Sequence, residues 1–132
     1  MSHRAPGWIV VATLFLAVAS VVTLAAQARR EFSVTAKKYG YTVSDSSTAE
    51  IRVHKDDMVT ITFSAEDIPH SFTISDDHYR IDRRAEKGKP VTFKFLADKV
   101  GEFEIHCILT ADQKCKDMHA KLVVTASAKE TK

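Results

Sequence analysis

Met58-Val-Thr-Ile-Thr-Phe-Ser64 alternates at every step, with Val59, Ile61 and Phe63 on one side and Thr60 and Thr62 between them. A period of two marks a strand with one face toward a core and the other toward solvent. Working outward, the pattern recurs. Phe32, Val34 and Ala36 alternate upstream. Downstream come Phe72 and Ile74, then Val91, Phe93 and Phe95, then Phe103 and Ile105, then Leu122 and Val124. Turn-type residues separate these runs at 44–48, 56–57, 67–69, 87–90 and 99–101. Short alternating strands at near-regular spacing over about 100 residues argue an all-β, two-sheet sandwich. That part of the chain carries no long amphipathic helix and no internal repeat. Its longest connection, residues 76–89, is charged and reads as a solvated surface loop.

The chain has 132 residues, and the first 28 have a different composition. Residues 7–26 contain no charged side chain and are rich in Val, Leu, Ala and Ile. About 20 such residues are enough to cross a bilayer as a helix. The basic start and the Ala26-Gln27-Ala28 ending also fit a secretory signal with an A-x-A cleavage site, although the apolar run is long for one. Basic residues flank both ends, so charge does not decide the orientation. A membrane anchor and a cleaved signal both remain open, and both export the rest of the chain. Residues 1–28 therefore read as signal or anchor, 29–125 as one domain, and 126–132 as a flexible tail.

A net charge of +2 with interspersed acids and bases leaves no basic stripe for nucleic acid. Neither G-x-S-x-G nor H-E-x-x-H occurs, so hydrolytic machinery has no support. The two cysteines, Cys107 and Cys115, form a disulfide by default in an exported protein. Such a bridge closes a loop of about nine residues and is worth roughly 2–3 kcal/mol.

Cys107 follows the alternating run 102–106 and shares a face with Phe103 and Ile105, which aims its sulfur inward. Cys115 and Met118 come within the next eleven residues, just before the run 121–125, and His70 opens a separate strand after Ile68-Pro69. Imidazole, thiolate and a weak thioether are the donors that copper electron-transfer sites use. His106 and His119 precede and follow these donors, so alternation turns them to the opposite face. His54 sits at a turn as a surface residue, and His78 lies in the charged loop with no partner in view.

The segments Asp67-Ile-Pro-His-Ser-Phe-Thr-Ile74, Tyr79-Arg-Ile-Asp82, Ala97-Asp-Lys-Val-Gly-Glu-Phe-Glu-Ile-His-Cys107 and Met118-His-Ala-Lys-Leu-Val-Val124 resemble the copper-binding domain of cytochrome oxidase subunit II. That domain belongs to the cupredoxin superfamily, and the resemblance implies a Greek-key sandwich. It covers residues 58–124. In that family the dinuclear CuA loop reads Cys-x-Glu-x-Cys-x3-His-x2-Met. Cys107 and Met118 fall on its first and last positions with the spacing kept, whereas Leu109, Ala111 and Cys115 replace the glutamate, second cysteine and histidine. An ordinary CuA centre is therefore not expected. A blue-copper loop fails as well, because Gln113 holds its histidine position. The remaining metal-ligand set is His70, Cys107, Cys115 and Met118, a soft set that leans toward Cu(I).

These observations lead to an exported copper-binding domain, anchored to or released from the membrane, in electron transfer associated with a respiratory chain. Its partners would be a redox protein or a copper donor or acceptor. Cu(I) handling during oxidase assembly, a metal-free scaffold stapled by the disulfide, and a subunit II-like oxidase component are the alternatives. Enzyme activity of the chain alone is not expected.

Overall fold

The computed structural model describes residues 28–38, 40–109 and 113–127. The apolar run of residues 7–26 lies outside them, as does most of the tail. Among the described residues nine strands form in chain order: β1 (Arg29–Lys37), β2 (Gly40–Val43), β3 (Glu50–His54), β4 (Asp57–Ala65), β5 (His70–Ile74), β6 (Ile81–Ala85), β7 (Val91–Ala97), β8 (Gly101–His106) and β9 (His119–Thr125). A short helix, α1 (Gln113–Lys116), precedes β9.

The strands make two sheets, ordered β2-β1-β4-β7 and β3-β9-β8-β5-β6. Most neighbours are antiparallel, while β1 with β4 and β3 with β9 run parallel. The all-β, two-layer reading thus holds. β4 is central to the first sheet, and its pattern is fully regular: Val59, Ile61 and Phe63 are buried while Thr60 and Thr62 are less so. Ile51, Phe72, Ile74, Ile105, Leu122 and Val124 from the second sheet meet them across the core.

An aromatic chain crosses between the layers. Phe63 lies 5.9 Å from Phe72, and Phe72 lies 5.2 Å from Phe93, both in edge-to-face geometry. Each buried aromatic contributes on the order of 2–3 kcal/mol by removal of apolar area from water. Edge-to-face contact adds about 0.5–1.5 kcal/mol per pair.

Three strands were not apparent in the alternation of the sequence. β2 and β3 are short, and β6 lies inside the charged stretch 76–89 that read as a loop. β6 exposes Asp82, Arg83 and Arg84 and buries only Ile81 and Ala85. It is an edge strand, and edges tolerate charge because one side faces solvent. Asp57, read as part of a turn, is instead the buried first residue of β4, and its Oδ2 accepts the His54 N–H at 2.9 Å.

Candidate metal centre

The centre sits where the second sheet comes apart. β5 pairs with β8 at Thr73–His106 alone, and β8 pairs with β9 as far as His106–His119. Beyond that point β5, β8 and β9 no longer pair with one another, although β5 stays laddered to β6, and Cys107 leaves β8 and Met118 enters β9 at the same end. His70, the first residue of β5, lies at that end too. The sequence-predicted residues are all buried there: His70 and Met118 fully, Cys115 at 1% exposure and Cys107 at 5%.

His70 is held from one side. Its Nε2 lies 2.6 Å from Asp67 Oδ1. Asp67 also accepts the backbone N–H groups of Lys38 at 2.8 Å and Ile68 at 2.8 Å. Desolvation opposes ionisation of Asp67, but these N–H donors and the His70 ring outweigh it and lower its pKa to about 2. A carboxylate accepts only, so Nε2 carries a proton, and in the neutral ring the lone pair is on Nδ1. Nδ1 is buried and has no hydrogen-bond partner. Buried imidazole nitrogens are normally satisfied, so each orphan calls for an explanation; His106 Nδ1 is a second such atom, away from the cysteine and methionine donors.

The cysteines are joined. Cys107 and Cys115 form a disulfide with a Cα–Cα distance of 5.3 Å, inside the ordinary range. Cys115 rides on α1, and the Met118 N–H donates to the Cys115 carbonyl at 3.3 Å, which ties the thioether residue to the same turn. The Ser71 N–H donates to Cys107 Sγ at 3.4 Å. In this oxidised state neither sulfur is a thiolate, and thiolate is the form that binds metal. Among the described residues no three His, Cys, Asp or Glu side chains converge as a metal cluster. The donor set fits a soft cation only after the bridge is reduced. The bridge that the sequence left as an alternative is the state of this structure.

The other histidines face elsewhere. His106 Nε2 meets Ser75 Oγ at 3.1 Å, and exposed His119 contacts Glu104 through Nδ1. His54 is exposed. His78, for which the sequence offered no partner, lies 2.5 Å from Asp98. Sequence reasoning missed Asp67, Ser71 and Tyr41. Asp67 was legible in principle as an acid three residues before His70 in a turn. Tyr41 was not, because it belongs to the opposite sheet.

The two sheets thus stack as a sandwich with His70, Cys107, Cys115 and Met118 at one end. The model of the cupredoxin-like domain matches residues 8–124, and the chain belongs to that family. No curated protein matches the chain in sequence. Among solved structures it is similar to a chain of a heme-copper terminal oxidase dimer, with 19% identity and a TM-score of 0.65. That match covers 75% of this chain and 65% of that one, so the present chain spans under two thirds of it. The periplasmic domain of cytochrome oxidase subunit II (CoxB) of Bradyrhizobium japonicum matches with 16% identity and a TM-score of 0.62, covering 76% of this chain and 86% of that one. Subunit II in a mixed disulfide with the thioredoxin-like TlpA matches with 18% identity and a TM-score of 0.61, covering 76% and 84%. Auracyanin A, a blue copper protein of Chloroflexus aurantiacus, matches with 16% identity and a TM-score of 0.57, covering 74% and 99%. At these identities the likeness establishes the fold.

Proposed function

We propose that this chain is an exported cupredoxin domain that binds copper through His70, Cys107, Cys115 and Met118 once the Cys107–Cys115 bridge is reduced, and that it serves electron transfer associated with a respiratory chain. The observation that carries the reading is His70 Nδ1: fully buried, unpartnered, and left with its lone pair because Asp67 holds Nε2. Membership in the cupredoxin family and likeness to a blue copper protein support copper over other soft cations. Two sulfurs and a thioether beside one imidazole favour Cu(I). The same softness supports a second reading, in which the domain accepts Cu(I) and passes it on.

The reductant of the bridge would be a thiol protein, as the mixed disulfide between subunit II and a thioredoxin-like protein exemplifies for a relative. Export and membrane attachment belong to the same proposal. They rest on the uncharged run of residues 7–26 and on likeness to a periplasmic domain. The topology is compatible with a tether. Arg29 pairs with Met58 at one end of the sandwich, whereas Ala36 pairs with Ala65 at the end that holds His70, so an N-terminal anchor would attach at the end remote from the site.

The test is titration of Cu(I) and Cu(II) into the full chain, reduced with glutathione and desalted without oxygen. Saturable binding, abolished in Cys107→Ser and at least roughly tenfold weaker in His70→Ala, is the expected result. Thiolate charge-transfer bands with Cu(II) would mark a redox site, and tight colourless Cu(I) binding would mark copper handling. No binding by the reduced wild type would overturn the copper reading and leave a disulfide-stapled scaffold.

A further inference from the structure

His106 and His119 lie directly opposite each other at the last pairing of β8 with β9. Their neighbours in sequence, Ile105, Cys107, Met118 and Ala120, are buried in the core. Alternation therefore sends both imidazoles to the outer face of the second sheet. Residues opposed across an antiparallel pair hold their Cβ atoms about 4.5–5.5 Å apart on one face. Two rings at that spacing are within reach of a single ion, since metal–imidazole bonds are about 2.0–2.1 Å long.

Each ring is engaged at one nitrogen. His106 Nε2 lies 3.1 Å from Ser75 Oγ, while its Nδ1 is buried without a hydrogen-bond partner. With Ser75 Oγ accepting from Nε2, the lone pair of the neutral ring falls on Nδ1. His119 Nδ1 contacts the Glu104 carboxylate. A carboxylate accepts only, so in the neutral His119 ring the lone pair is on Nε2. A carboxylate on the far nitrogen is also the usual outer partner of a histidine that ligates metal. The His119 side chain is 60% exposed, so it turns toward His106 without disturbing the core.

The surroundings have room and the right charge. A hollow of about 480 Å³ opens beside His119, and Glu50, Glu102, Glu104 and Lys121 line it. Arg52 pairs with Glu50 and Lys121 with Glu102, which leaves Glu104 as the carboxylate beside the histidine. Fixed negative charge in a hollow raises the local concentration of cations.

We propose that His106 and His119 form a separate metal site on the outer face of the sheet. It takes a divalent transition cation between His106 Nδ1 and His119 Nε2, with Glu104 as the outer partner of His119. Imidazole with oxygen donors suits Cu(II) and Zn(II), and Cu(II) heads the affinity order of the divalent ions. Among the described residues no third His, Cys, Asp or Glu converges on the pair, so water completes the coordination. No sulfur takes part. The site is therefore complete while the Cys107–Cys115 bridge is closed, and its donors are harder than the inner set.

The test is titration of Cu(II) into the full chain with the disulfide intact, followed by electron paramagnetic resonance. A His3→Ala background removes a histidine close to the start of the chain. One ion is expected to bind saturably, with couplings from two imidazole nitrogens. His119→Ala and His106→Ala should each weaken binding at least roughly tenfold. His54→Ala, which removes another exposed histidine, should leave it unchanged. His119 is exposed, so His119→Ala keeps the fold, and a wild-type urea midpoint checks this. No binding by the disulfide form would overturn the proposal. So would binding that survives either His106→Ala or His119→Ala, because a single surface histidine would then account for it. The inner donors take no part, so a reduced chain that binds no Cu(I) fails the reading above and leaves this test intact.

Discussion

Asp67 and His70 form a closed unit at the mouth of the sandwich: the carboxylate lies 2.6 Å from Nε2 of a fully buried ring whose other nitrogen has no partner. The carboxylate is itself fixed by two backbone N–H groups, from Lys38 at the end of the first sheet and from its neighbour Ile68. Ring orientation and tautomer are thus set by the protein before any ligand arrives. Outer partners of this kind orient a histidine and raise its basicity as a donor.

Asp67→Asn keeps the shape and removes the charge that fixes the tautomer. The reduced chain is expected to lose roughly 10–100-fold in Cu(I) affinity, the range for such partners. Competition against a chromophoric Cu(I) chelator measures it. An affinity within about twofold of wild type would mean that Asp67 is a turn residue only.

The Cys107–Cys115 bridge closes a short loop, with a sequence separation of 8. Loop-closure entropy for that length is worth about 2–3 kcal/mol. Urea unfolding of wild type with and without reductant is expected to differ by that amount, while Cys115→Ser shows no response to reductant. Equal stabilities would show that strain or structure in the unfolded chain cancels the closure effect.

Gly101 starts β8 at φ +150°, and a Cβ added there would stand 3.1 Å from Phe103 Cζ. Phe103 packs edge-to-face on Tyr79 at 4.7 Å, so its ring has little room to yield. Gly101→Ala is expected to cost about 1–3 kcal/mol, from backbone strain together with the close ring contact. A denaturation midpoint unchanged from wild type would show that the ring moves freely.

Asp98 has its pKa lowered, first by the hydrogen bond from His78 at 2.5 Å and despite some desolvation. A carboxylate whose folded pKa lies below its unfolded value stabilises the fold above the unfolded pKa, and that contribution is lost as pH falls through the folded one. Wild type should therefore lose stability on acidification below the ordinary value of 3.8, and Asp98→Asn should lose less over the same window. The pair is exposed, so the gap is small. Parallel acid limbs for the two proteins, in urea midpoints taken from pH 5 downward, would contradict the assignment.

Much of the architecture was legible because burial on one face of a strand writes itself into the chain as alternation. β4 reads directly from Val59, Ile61 and Phe63, and Cys107 was placed inward by counting from Phe103 and Ile105. β6 was illegible for the same physical reason. As an edge strand with Asp82, Arg83 and Arg84 exposed, it carries no alternating signal and forms because β5 offers it a ladder.

At the site, local sequence determined the donors. His70 after a proline turn, Cys107 at the end of a strand, and Cys115 and Met118 ahead of the next strand are all positions along the chain. Tertiary structure decided their state. The disulfide requires the two Cα atoms to come within 5.3 Å, and spacing alone only permits that. The orphan Nδ1 of His70 exists because a carboxylate three residues earlier takes Nε2, and because the surrounding fold excludes water. The Tyr41 contact to Ser71 joins two sheets across the core. Periodicity reports which face a residue occupies, whereas contact between faces depends on how the layers stack, and only the folded chain fixes that.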